Sequence, residues 1–101
     1  MKTSRTPARV RQSIRFIGAR AGEGRVEFDG IADDGDLHHF AIEADTLGRV
    51  AWDCDMGLGL MNAYERHRPM IHGVATRLFG AGVRADPILL MARHFAGLPA
   101  A

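Results

Sequence analysis

Histidine, cysteine and carboxylate side chains can share a metal ion or move a proton, so His38, His39, Cys54, His67, His72 and His94 are the first places to seek chemistry in this sequence. Their spacing does not specify a metal centre. His38 and His39 are adjacent, and in a strand adjacent side chains leave opposite faces. His67 and His72 are five apart, outside the three-or-four spacing that sets two groups on one helix face. A site drawn from His38, Cys54 and one helix histidine is conceivable only through the tertiary fold, and no metal or cofactor is expected. Cys54 lies between Asp53 and Asp55, whose negative charge disfavours a thiolate, so a small residue closing a loop is the better reading. Asp33 and Asp34 precede a glycine and serve a turn. No nucleophile, base and orienting acid stand in a recognisable arrangement, so no catalytic residue is assigned and an enzyme is not expected.

The arginines offer different chemistry. Arg68 sits beside an apolar stripe, where its stem can cover the core with the head in water, or its head can anchor an anionic ligand or a partner chain. Lys2, Arg5, Arg9, Arg11 and Arg15 fall in a stretch without an acid and would suit a nucleic-acid backbone, aided by Arg66 and Arg77. No aromatic residue is interleaved with the five to stack on bases, which favours a solvated basic arm over a binding one. A non-catalytic interaction or regulatory module with a protein partner, the chain itself or another, is therefore expected ahead of a nucleic-acid-binding protein, and a small-ligand binder or enzyme with a pocket between the sheet and the long helix is the remaining alternative.

These residues must be positioned by a single domain. A length of 101 residues supports one core, and a formal charge of +1 announces neither nucleic acid nor a membrane surface. The single cysteine forbids an internal disulfide and points to a reducing, cytoplasmic setting. Basic residues open the chain with no apolar run behind them, so neither a secretory signal nor a membrane span is expected. Residues 1–12 read as a basic arm, 13–96 as the domain and 97–101 as a tail.

The longest periodic stretch is 58–80. Met61, Tyr64, Ile71, Val74, Ala75 and Leu78 recur at three and four, opposite Asn62, Arg66, Pro69, Gly73, Thr76 and Arg77. Pro69 interrupts it, but the stripe keeps its phase and Arg68 is not a capping residue, so one bent helix is predicted. Ahead of it, 13–17 alternates as a strand and Gly18 to Gly24 predicts a turn region. Strands follow from Arg25 and over 37–42 about the turn Asp33-Asp34-Gly35, then a short helix over 44–52. Asp55 is placed to cap the long helix. Over 88–91 the signals conflict: Asp86-Pro87 and Gly97 frame a helix, while Ile88-Leu89-Leu90-Met91 reads as a doubly buried strand.

Three motifs resemble the DUF1488 family, small bacterial proteins grouped as a domain of unknown function. They are the hairpin RVEFDGIADDGDLHHFAIEADTL, the helix YERHRPMIHGVATRLF with Tyr64, Arg68, Ile71 and Ala75 in the family's aromatic, arginine, isoleucine and alanine places, and the closing segment ILLMARHF. The resemblance spans nearly the whole chain. His94 departs from the family's aspartate, Gly73 interrupts the helix and a short tail is added. The resemblance implies an α+β fold in which 88–91 is a strand, and it carries no activity, cofactor or catalytic residue. The fold expected is thus a small antiparallel sheet of about four strands, with one short and one long bent helix on one face.

Overall fold

Along β2 (Arg25–Ala32) Val26, Phe28, Gly30 and Ala32 are buried, while Arg25, Glu27, Asp29 and Ile31 between them are only partly so. Such alternation is what a sheet covered on one face requires. The computed structural model describes residues 13–96, and in it β2 lies between β1 (Ile14–Gly22) and β3 (Leu37–Glu43), both antiparallel to it. A short β4 (Ile88–Leu90) completes the sheet in the order β1-β2-β3-β4. The fold is α+β.

The first strand is longer than predicted. Gly18 to Gly22 continue β1, and the turn is confined to Glu23 and Gly24, both at positive φ (54° and 77°). Two such residues twist a hairpin in the sense its strands require, and Gly24 takes that conformation without a Cβ penalty. The stretch stays extended because Arg20 reaches across to Glu27 and Asp29 on β2. Phe16 opposes Gly30 and Gly18 opposes Asp29, so Ile17 forms a bulge and is half exposed.

Helix α1 (Ala44–Val50) follows β3 directly, with Leu47 and then Ala51 buried. The long periodic stretch is two helices rather than one bent helix. Helix α2 (Leu60–Arg66) stops at His67, whose ψ of 21° leaves the helical range, and α3 (Arg68–Gly80) begins at the next residue. Pro69 is the second residue of α3, where its missing N–H costs no hydrogen bond, so the chain breaks before the proline rather than bending over it. Tyr64, Ile71, Val74, Ala75 and Leu78 are buried as the periodicity predicts, joined by Ala63 and Phe79. Asp55 caps not this helix but a 3-10 turn, Met56–Leu58, with Gly59 leading into α2.

Strand β4 forms against the local helix signals. It pairs parallel to β3, Phe40 opposite Ile88 and Ile42 opposite Leu90, so the sheet is mixed rather than wholly antiparallel. Ile88 and Leu90 join the core, a burial that an isolated helical turn there could not supply. The capping tendency survives just beyond, in a 3-10 turn over Ala92–Phe95 whose His94 Nδ1 accepts the Met91 N–H at 2.9 Å. No helix among the described residues is long and apolar enough to cross a membrane.

Candidate functional site

Between α1 and α2 the chain runs through consecutive local turns. The Cys54 N–H donates to the Ala51 carbonyl at 2.9 Å, and Asp55 Oδ1 accepts the Gly57 N–H at 2.8 Å. Turns let neighbouring side chains converge, which a strand forbids. Asp53 Oδ1 lies 2.7 Å from His67 Nε2 at the α2–α3 break, and Arg66 Nε is 3.6 Å from the other carboxylate oxygen. Cys54 Sγ is 3.9 Å from the same Oδ1. One donor atom each from Asp53, Cys54 and His67 falls within 4.8 Å of the other two, a nitrogen, sulfur and oxygen set of the kind zinc accepts. The hydrogen bond from His67, joined by the charge of Arg66, holds the Asp53 carboxyl below its ordinary range. The segment also carries two large apolar side chains in solvent, Trp52 at 75% exposure and Leu58 at 68%.

A second cluster occupies the sheet face that the helices leave open. Asp29 accepts from His39 Nδ1 at 2.7 Å and from Arg20 at 2.9 Å, while Glu27 binds both Arg20 and Arg25. Partial burial pushes the Asp29 carboxyl up, but the His39 and Arg20 hydrogen bonds together outweigh it and leave it lowered. The Arg25 hydrogen bond is the main cause of a lowered Glu27. Each carboxylate here already holds a cation, so the cluster is a self-satisfied network that spans three strands.

The third arrangement is a cleft of about 200 Å³ between the β1 bulge and the helices, lined by Phe16, Ile17, Tyr64, Glu65, Arg68 and His72. His72 stacks on Phe16 with ring centres 3.9 Å apart. Desolvation pushes His72 down to about 4 and Tyr64 up to about 12, so near neutrality the phenol keeps its proton and donates it to the neutral imidazole Nε2. Arg68 borders this cleft, but its guanidinium is paired to Glu65 at 2.9 Å across the α2–α3 break.

No family model, curated protein or solved structure matches the chain.

The residues singled out in the sequence are thus scattered. His38 lies against Phe79, ring centres 4.5 Å apart, and takes no part with Cys54. Arg15 is on β1, Arg66 holds Asp53, and Arg77 donates to the His94 carbonyl. Lys2, Arg5, Arg9 and Arg11, and the 97–101 tail, lie outside the described residues. The grouping of Asp53 and Cys54 with His67 escapes sequence reasoning because it depends on the helix break. Pro69, two residues beyond His67, is the local signal that could have located it.

Proposed function

We propose that the protein is a non-catalytic interaction module that associates weakly with a second copy of itself through the segment between α1 and α2. The observation that carries this reading is the exposure of Trp52 and Leu58 on a segment tied down by its own turns and by the Asp53–His67 pair. Tryptophan is among the residues most enriched at the energetic centres of interfaces. A two-fold contact would bury each anchor twice, and fully covering one leucine alone contributes about 1.5–3 kcal/mol. Four such side chains supply about 6–12 kcal/mol against an association cost of about 4–15 kcal/mol, a near balance that is the regime of a weak dimer. With a net charge of +1, two copies repel little.

Trp52 is the sole tryptophan, so intrinsic fluorescence reports on this contact alone. Light scattering over a concentration series should show the mass rise toward two chains as Trp52 emission moves to shorter wavelength. The rise in mass should disappear in both Trp52→Ser and Leu58→Ser, and the emission shift should disappear in Leu58→Ser. A monomer at every concentration, with emission unchanged, would refute self-association.

A second reading, binding of a small ligand, is favoured by the Tyr64–His72 cleft. At about 200 Å³ it falls below the usual 300–1,000 Å³ of ligand pockets, and Glu65 already neutralises Arg68. It therefore ranks second. Nucleic-acid binding ranks behind both, because of the helix cations meant to assist the basic arm, Arg66 and Arg77 already have protein partners.

A further inference from the structure

We propose that Asp53, Cys54 and His67 form a binding site for a zinc-class divalent cation, with a fourth position open to water. The three donors come from two places in the chain, a turn and a helix break, and converge without any change of fold. Tetrahedral coordination needs metal–ligand distances of about 2.0–2.3 Å, which place ligand atoms about 3.3–3.8 Å from one another. The Asp53–His67 separation is 2.7 Å, a hydrogen bond that an ion would replace by moving the two atoms about 0.6 Å apart; the thiol lies 3.9 Å from the same carboxylate oxygen, and the widest spacing among the three donors is within 4.8 Å. Side-chain rotations of about one ångström or less, opening the first pair and drawing the thiol in, therefore form the set.

The chemistry of the donors selects the ion. A thiolate beside an imidazole and a carboxylate is poor for magnesium or calcium and suits zinc, cobalt or nickel. A thiolate and a carboxylate also balance a divalent charge, so loading releases the Cys54 proton to solvent and leaves the cluster neutral. His67 is suited to the role because its side chain is only 12% exposed, held by the break rather than free in solvent. Arg66 approaches the Asp53 oxygen that does not face His67, the outer-oxygen contact that orients ligating carboxylates. The exposed sides of Asp53 and Cys54 leave the fourth position accessible, as in open zinc sites.

This inference is independent of self-association, since it concerns the anchoring of the segment rather than the surface the segment presents. The test is a cobalt(II) titration of the reduced full-length protein. Cys54 is the only cysteine, so a thiolate-to-cobalt charge-transfer band can come from no other residue of one chain. The band should saturate at one equivalent, disappear on addition of zinc, and be accompanied by quenching of the neighbouring Trp52. Affinity should fall at least tenfold in His67→Gln and in Asp53→Asn, with folding of each checked by circular dichroism, and should be unchanged in His39→Gln. No charge-transfer band, or a band of equal affinity in both folded variants, would overturn the site by showing Cys54 to act alone. Saturation at half an equivalent would likewise overturn it, in favour of a metal shared between two cysteines.

Discussion

Gly30 is the sheet glycine with no room for a side chain. A Cβ built there would stand 2.3 Å from Ile14 Cγ2 and 3.2 Å from the Phe16 ring. Ile14 is β-branched and stiff, and Phe16 is held by its stacking on His72, so neither can yield cheaply. Gly30→Ala should cost about 1–3 kcal/mol in denaturant titrations, the range for overpacking, and an unchanged midpoint would mean that β1 moves freely there. His72 sets the response to mild acid. Its folded value of about 4 lies below the ordinary 6.5, so between those pH values the unfolded chain takes up a proton that the native one refuses. Stability should therefore decline as pH falls from about 6.5 to 4, and His72→Gln, whose amide oxygen can still accept the Tyr64 hydroxyl, should flatten that decline. The lowered carboxyls of Asp29 and Asp53 act in a separate window: their contribution is lost only below about pH 4, as each is protonated. Urea midpoints measured from about pH 2 to about pH 8 distinguish the two, the His72 decline above about pH 4 and the carboxylate decline below it.

The break between α2 and α3 is the element on which the loop site depends. Pro69 falls in the first turn of α3, so Pro69→Ala restores no needed hydrogen bond and chiefly frees the unfolded chain. The expected loss is about 0.4–1 kcal/mol; a gain in stability with added helical signal would show instead that the proline imposes the break on an otherwise continuous helix. The inward face of these helices was legible in the sequence, because the spacing of Tyr64, Ile71, Val74, Ala75 and Leu78 leaves only one side apolar. The break was not, since the stripe keeps its phase across it. The length of β1 was hidden by small residues: glycine and alanine between 18 and 22 carry no strand signal, and ion pairs with β2 supply what propensity lacks. Strand β4 was legible only with the help of a family resemblance, for its proline and acid favour a helix until the edge of β3 is there to pair with. The candidate site was legible as residue types and illegible as a cluster. Asp53, Cys54 and His67 were each noted, but 14 residues separate the paired acid and histidine, and only the fold brings them together.

At the scale of the whole molecule, one core unites residues from Ile14 to Phe95, and its two largest contributions from the end of the chain are Ile88 and Leu90. A chain stopped after Arg84 keeps β1–β3 and α1–α3 but leaves Phe40 and Ile42 beside a missing strand. Such a fragment should lose cooperative unfolding by circular dichroism, whereas independent stability would mean that β4 is an accessory. The parallel pairing of β3 with β4 also has a meaning in time. Ile42 leaves the ribosome 48 residues before its partner Leu90, which at ordinary elongation rates of 5–20 residues per second is a delay of roughly 2–10 s. For that interval every nascent copy carries an unpaired strand edge flanked by Phe40 and Ile42, the kind of surface that chaperones capture. Translation speed over the codons between them therefore bears on the yield of folded protein, even though a synonymous codon in that span leaves the final structure unchanged.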